Sequence, residues 1–240
     1  MIRFDNVTKR YPGGHDALKA VSFEIAAGEF VFLTGHSGAG KSTVLKLISV
    51  QERPTRGTVL LDGRNVGQVK ARAIPAVRRM IGPVFQDHRL LTDRTVFDNV
   101  ALPLVIAGTA RTEMEKRVRA ALDKVGLLSR DRALPVELSA GEQQRVGIAR
   151  AIAGKPALVI ADEPTGNLDP QLAAEIMAVF GTLTQGGTTV LVASHDLHLV
   201  QRMRRRVLVL DHGQLIDDFR PTPREPAAAA QAPTQAKLSL

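Results

Sequence analysis

The chain contains no cysteine, so disulfides and cysteine-based metal centres are excluded. It has no tryptophan, one tyrosine and an aromatic content of 4%, too little for a base-stacking surface that grips single-stranded nucleic acid. No apolar run approaches the roughly 18 residues needed to span a bilayer. The longest candidate, Val100 to Gly108, is short and carries Pro103. No apolar segment follows Met1-Ile2-Arg3-Phe4-Asp5, so the start does not read as a secretory signal. The six histidines are scattered, and their spacing predicts no metal site.

What is present suits one large domain. The 240 residues are 44% hydrophobic, enough for a sizeable core, and carry a net charge of +8. Such a charge suits nucleic acid or an anionic membrane surface. The cluster Arg202, Arg204, Arg205 and Arg206 reads more simply as a solvated helix end, where cations suit the dipole. Residues 2–34 read as β-rich, with alternation in Ile2-Phe4-Val7 and Val21-Phe23-Ile25. Strands are also expected at Gly57 to Leu61 and Ile81 to Phe85. Residues 111–125 place Met114, Val118, Ala121, Leu122 and Val125 on one face of a helix. The continuous apolar runs Leu158 to Ala161, Val190 to Ala193 and Val207 to Leu210 suit strands buried on both faces, as in a parallel sheet. Helical segments separate them, which makes the core α/β, with a helical subdomain inserted at roughly 88–155. From Pro221 the chain is rich in Pro, Ala and Gln, and residues 221–240 are expected to be a disordered tail.

The most informative stretch is Gly35-His36-Ser37-Gly38-Ala39-Gly40-Lys41-Ser42, a phosphate-binding P-loop. Its glycines let the backbone turn several N–H groups toward one point. The helix that opens there, continuing through Thr43, aims its positive dipole end at the same point. Lys41 brings a charge to the terminal phosphates, and the Ser42 hydroxyl can ligate Mg²⁺. The apolar run Phe30 to Leu33 precedes the loop, giving the strand–loop–helix context the motif requires. The chain is therefore expected to bind a nucleoside triphosphate.

Leu158 to Ala161 ends in Asp162 and Glu163, two carboxylates at the carboxyl end of an apolar strand, where α/β sheets bind ligands. Asp162 is the candidate Mg²⁺ residue and Glu163 the candidate general base for an attacking water. His195 follows the next apolar strand and could reach the γ-phosphate. It could equally be a helix N-terminal residue beside a capping Ser or Asp. Gln86 follows the strand from Ile81 and could touch Mg²⁺ or water through its amide. Leu138-Ser139-Ala140-Gly141-Glu142-Gln143 opens another helix, with Ser139 as N-cap, and makes a second anion-ready site. One chain has no obvious need of it. Two chains that cap each other's nucleotide do.

Taken in order, these segments resemble the ATP-binding subunits of ABC transporter-type complexes over residues 1–220. The resemblance implies a P-loop NTPase (RecA-like) core with an N-terminal antiparallel β subdomain. It makes Tyr11 the adenine-stacking aromatic, Gly35 to Ser42 the Walker A loop and Gln86 the Q-loop glutamine. Ser139, Gly141 and Glu142 fall in the signature, Asp162 and Glu163 in Walker B, Asn167-Leu168-Asp169 in the D-loop, and His195 is the switch histidine. It further implies ATP and Mg²⁺ as cofactors and a homodimer in the ATP-bound state.

The segments Phe85 to Leu91, Asp93 to Val96, Asp98 to Ala101 and Glu142 to Ala151 are similar to the FtsE group of cell-division ATPases. That similarity implies an FtsX-like integral membrane subunit as partner and a peripheral place on the cytoplasmic face of the bacterial inner membrane. Leu90, Leu91, Val96 and Phe97 would then form part of a groove for a helix of that subunit. The alternative within the family is the ATPase motor of a lipoprotein-release or macrolide-export transporter. A nucleic-acid partner is not expected, since ABC ATPases acting on DNA or ribosomes usually carry two cassettes or long coiled-coil insertions, and this chain has neither. Two departures stand out. Ala140 replaces the signature glycine, which would weaken that loop if it needs glycine's freedom. Ser49-Val50-Gln51 lacks the glycine usual after the P-loop helix.

Overall fold

The computed structural model describes residues 1–166 and 168–221. The expected tail beyond residue 221, and Asn167, lie outside the described residues. The elements run β1 (Ile2–Arg10), β2 (Asp16–Ile25), β3 (Phe30–Thr34), α1 (Lys41–Ile48), β4 (Arg56–Leu61), β5 (Arg64–Asn65), α2 (Ile74–Arg79) and β6 (Ile81–Val84). There follow α3 (Val96–Ile106), α4 (Arg111–Lys124), α5 (Ala140–Ala153), β7 (Leu158–Asp162), α6 (Pro170–Gln185), β8 (Thr189–Ala193), α7 (Leu197–Met203), β9 (Arg206–Asp211) and β10 (Gln214–Phe219).

Two sheets result. One is antiparallel in the order β2-β1-β4-β5, and the other runs β10-β9-β3-β8-β7-β6. In the second sheet β9, β3, β8, β7 and β6 are parallel and β10 is antiparallel at one edge. The strand before the P-loop is therefore central, and β8 separates it from the strand that ends in Asp162.

The continuous apolar runs are explained by period-2 geometry, because successive side chains of a strand face opposite sides. Phe30 and Phe32 of β3, Val159 and Ala161 of β7, and Val190 and Val192 of β8 enter one core with the helices α3, α4, α5 and α6. Their alternates Val31, Leu33, Leu158, Ile160, Leu191 and Ala193 enter a second core with α1 and the antiparallel sheet. Each face is sealed by apolar partners, so polar residues enter these strands only at their ends, at Thr34, Asp162 and Thr189. Residues 96–153 form the helical part, and Val118, Ala121, Leu122 and Val125 are buried on the face that the spacing predicted.

The second half of the loop that joins β6 to α3 is held by a buried asparagine. Asn99 is fully buried; its Oδ1 accepts from Leu91 N at 2.8 Å. Its Nδ2 donates to Leu91 O, Arg94 O and Thr95 O at 3.0 to 3.2 Å. These bonds satisfy backbone groups that no helix or strand would. Val96 of this region is 0% exposed and belongs to the core, which corrects its expected place in a groove, while Leu90 and Phe97 pack partly against that core. Leu91, at 42%, is the exposed member.

The arginine cluster also needs correction. Arg202, Arg204 and Arg205 are exposed, but Arg206 is 5% exposed and begins β9. Its guanidinium donates to both Asp218 oxygens at 2.7 Å, and to Glu29 and the Glu24 carbonyl at 2.8 to 3.0 Å. It thus pins the edge strand β10 and the start of β3 to the antiparallel sheet. The Asp218 carboxyl is held below its ordinary range, chiefly by the Arg206 hydrogen bonds. A lowered carboxylate pKa contributes stability that is fully present above the unfolded value near 3.9 and lost as pH falls through the folded value. Arg206→Met should lose about 1–2 kcal/mol at neutral pH, since the carboxylates it leaves are partly solvated, and show a shallower fall in stability from pH 5 to pH 3 than the native chain. Urea unfolding at several pH values measures both.

Candidate active site

The P-loop winds over the carboxyl end of β3 because its glycines permit contacts that no side chain could share. Gly35 has φ 148°, and a Cβ there would lie 2.2 Å from Leu210 O of β9. Gly40, at φ 110°, starts α1 with Ala17 O and Leu18 Cδ2 only 2.7 and 2.8 Å from where its Cβ would be. The loop is thereby pressed between β9 and β2, an approach only glycine permits at these two positions. Lys41 is 8% exposed and folds back, Nζ donating to Gly35 O at 2.7 Å and His36 O at 3.1 Å.

The loop lines a cleft together with residues from four other parts of the chain. Tyr11, His36, Ser37, Gly38, Gly40, Lys41, Ser42, Thr43, Gln86, Asp162, Glu163 and His195 line it. Its volume is about 690 Å³. Twelve of the residues expected from the sequence thus meet in one place. His15 and Ala17 line it too, and nothing in the sequence singled them out. Gly35 and Ala39 do not line the cleft. Ala39 is fully buried, and its N–H donates to His36 O at 3.1 Å. Tyr11 presents its ring to the cleft edge, with Lys9 Nζ 4.9 Å from the ring centroid.

Asp162 is largely buried at the end of β7. Burial pushes its carboxyl above the ordinary carboxylate range and the adjacent Glu163 adds to this, while a Ser42 hydrogen bond and the Lys41 charge pull it down. Glu163 follows with a left-handed φ of 51°, its N–H bonded to Ala193 O at 2.9 Å. That turn aims its carboxylate across the cleft at His195, where Oε2 and the imidazole Nδ1 pair. Glu163 is 14% exposed at its side chain and His195 68%, so the histidine is the solvent-facing partner. The capping reading of this segment also holds, through Asp196, whose Oδ1 accepts from Leu199 N at 3.0 Å and starts α7.

Ser139, Gly141 and Glu142 lie away from the cleft at the start of α5. Ser139 caps that helix, its hydroxyl accepting from Glu142 N at 3.2 Å. Glu142 returns the contact to Ser139 N at 2.9 Å, and its carboxyl is held below its ordinary range by these Ser139 bonds. Within one chain this helix end and the P-loop do not meet. Ala140 is the first residue of α5 and has a negative φ, so the expected loss of glycine's freedom does not arise. The other departure is the strained one. Val50 sits at φ 54°, a region that β-branched residues avoid. It is held there by core burial and by Arg78, which donates to Ser49 O and Val50 O at 3.2 and 3.0 Å.

A second set of contacts joins α5 to the segment after Gln86. Arg150 donates to His88 O and Arg89 O at 2.6 Å, and the Gln144 amide oxygen meets the His88 imidazole. His88 and Arg89 both have left-handed φ, 57° and 47°, and Arg89 stacks over Phe85 at 4.3 Å. Among the described residues no helix is long and apolar enough to cross a membrane.

Comparison with known proteins accords with this geometry. Residues 18–166 match the family described as ABC transporter. The cell division ATP-binding protein FtsE of Escherichia coli K12 is 54% identical over 215 residues, covering 90% of this chain and 97% of that protein. FtsE of Bacillus subtilis is 46% identical over 218 residues, covering 91% and 96%. A dimeric ATP-binding cassette in a post-hydrolysis state, bound to ADP and Pi, superposes with TM-score 0.87 at 35% identity. The match covers 93% of this chain and 100% of that one. The chain belongs to the ABC transporter ATPase family, alongside the FtsE proteins that it resembles over nine-tenths of its length.

Proposed function

We propose that this chain is the ATP-binding and hydrolysing subunit of an FtsE–FtsX-like inner-membrane complex. In that complex it would couple ATP-driven dimerisation to cell division and cell-wall hydrolase control. The observation that carries the ATPase reading is the convergence of Lys41, Ser42, Gln86, Asp162, Glu163 and His195 on one cleft. Identity with the FtsE relatives supports the cell-division assignment. The catalytic unit is taken as residues 1–220, with 88–155 as its helical subdomain.

In this reading the P-loop N–H groups and Lys41 hold the β- and γ-phosphates, and Tyr11 stacks on adenine. Lys41 exchanges its present carbonyl partners for phosphate oxygens, where both donor and acceptor are charged. Glu163 takes a proton from water as the water oxygen attacks the γ-phosphorus and the bond to the β-bridging oxygen breaks. His195 orients the Glu163 carboxylate from the solvent side. Hard oxygen donors from Ser42, Asp162 and Gln86, which share the cleft, fit Mg²⁺. Bound there, Mg²⁺ would neutralise charge developing on the phosphates. The Ser139 end of α5 then serves the nucleotide of a second copy in a head-to-tail homodimer.

The partner reading predicts a role for Leu91, the exposed apolar residue beside the Gln86 segment. Leu91→Glu should abolish recruitment of the chain to membranes that carry its partner and leave ATP affinity within about twofold, because Leu91 is exposed and does not line the cleft. Cell fractionation together with nucleotide titration measures both. Depletion of the protein should give filamentous cells. Normal division with failed lipoprotein release or drug export would replace this reading with the transporter one.

A further inference from the structure

The histidines that the sequence scatters do not stay apart. His36 of the P-loop and the pair Asp211-His212, at the turn between β9 and β10, bring three ligand atoms within 4.8 Å of one another. His36 Nε2 lies 3.0 Å from Asp211 Oδ1, and His212 Nε2 lies 3.9 Å from the same oxygen. The two imidazole rings are 4.7 Å apart. A tetrahedral ion with ligand bonds of about 2.0–2.2 Å places its ligands roughly 3.4 Å from each other, between the two separations seen.

The hydrogen bond on the far side of His36 fixes its chemistry. Nδ1 is 2.6 Å from Ser37 O, a carbonyl that only accepts, so Nδ1 carries the proton. In the neutral ring Nε2 then presents its lone pair to a carboxylate oxygen. Two lone pairs at that distance repel unless a cation lies between them, either a second proton or a metal ion. A backbone carbonyl on the outer nitrogen is the arrangement that orients metal-bound histidines. The second imidazole, facing the same oxygen, is superfluous to a proton and is what a metal ion needs.

The geometry points to a transition-metal site, His36–Asp211–His212, that takes Zn²⁺ or a similar borderline ion and clips the P-loop to the β9–β10 turn. Two imidazole nitrogens and one carboxylate favour such ions over Mg²⁺, which prefers the oxygen donors on the opposite side of the loop. Water completes the fourth position. The turn is already joined to the loop by backbone, since Gly213 N donates to Ala39 O at 3.1 Å. The ion adds a side-chain tie to the same junction, at the residue whose carbonyl receives Lys41.

Zn²⁺ titration by calorimetry on the full nucleotide-free chain tests this, with Co²⁺ as a spectroscopic probe. The expected result is one equivalent bound at micromolar concentration or below, with the visible bands of tetrahedral Co²⁺. His212 and Gly213 have φ of 44° and 80°, a type I′ turn, and asparagine tolerates that backbone. His212→Asn should therefore keep the fold, lower Zn²⁺ affinity at least about tenfold and erase the Co²⁺ bands. Asp211→Asn should do the same by a different substitution. His195→Ala should leave Zn²⁺ binding unchanged, which separates this site from the Glu163–His195 pair. Binding that survives both His212→Asn and Asp211→Asn, binding lost in His195→Ala, or no binding by the native chain at 100-fold excess Zn²⁺ overturns the proposal.

Discussion

Glu163→Gln should bind ATP as the native chain does and hydrolyse it at least about 100-fold more slowly, the range expected on removing a general base. The amide keeps the size of the carboxylate and its place beside His195, but it has no basicity with which to accept the proton of the attacking water. Binding survives because phosphate affinity rests on the P-loop and Lys41. With hydrolysis blocked, the ATP-bound homodimer should accumulate, which size-exclusion chromatography with ATP resolves. Single-turnover kinetics give the rate. Near-native turnover would remove Glu163 from the chemistry and leave its left-handed backbone, φ 51°, without a functional reason. His195→Ala should be milder than Glu163→Gln, since it removes an orienting contact and leaves the base.

Lys41→Ala should act earlier, on binding itself. A hydrogen bond to a charged group contributes about 1.5–3 kcal/mol, so loss of the ammonium should weaken nucleotide affinity roughly 10- to 150-fold. There is a second cost. Lys41 Nζ now bridges Gly35 O and His36 O, and its removal leaves both carbonyls without that donor. The loop should therefore loosen even without nucleotide, which faster amide exchange over residues 35–40 would register. Unchanged ATP affinity would count against the P-loop assignment.

Much of the architecture was legible because local signals agreed with each other. The runs at Leu158 and Val190 predicted strands buried on both faces, and alternation between two cores explains why they needed to be apolar throughout, whereas in the Val207 run only Leu208 and Leu210 are fully buried and Val207 and Val209 are half-buried, which corrects that expectation. The cleft was legible because the P-loop glycines, the Asp162-Glu163 pair, Gln86 and His195 each stand at the carboxyl end of a strand, and the parallel sheet brings those ends together. Arg206 was not legible. Its partner Glu29 lies 177 positions away, and local spacing within the arginine cluster suggested only a helix end. The approach of His212 to His36 was not legible for the same reason, since the β9–β10 turn reaches the P-loop only after β9 has paired with β3. The two missing glycines show the limit of comparing letters. Ala140 needs no glycine, because it already has helical backbone, whereas Val50 occupies the left-handed backbone that a glycine would have relieved.

Arg150 and Gln144 give α5 a firm grip on His88 and Arg89, two and three residues beyond Gln86. In the proposed reading, a displacement that begins where Gln86 touches Mg²⁺ or water would pass to α5 through these contacts. Ser139 stands at the start of that helix. In the proposed head-to-tail pair, Ser139 abuts the nucleotide of the other copy. Each chain would thus announce the state of its own cleft at its neighbour's, and the two sites would fire in concert, with neither keeping independent time.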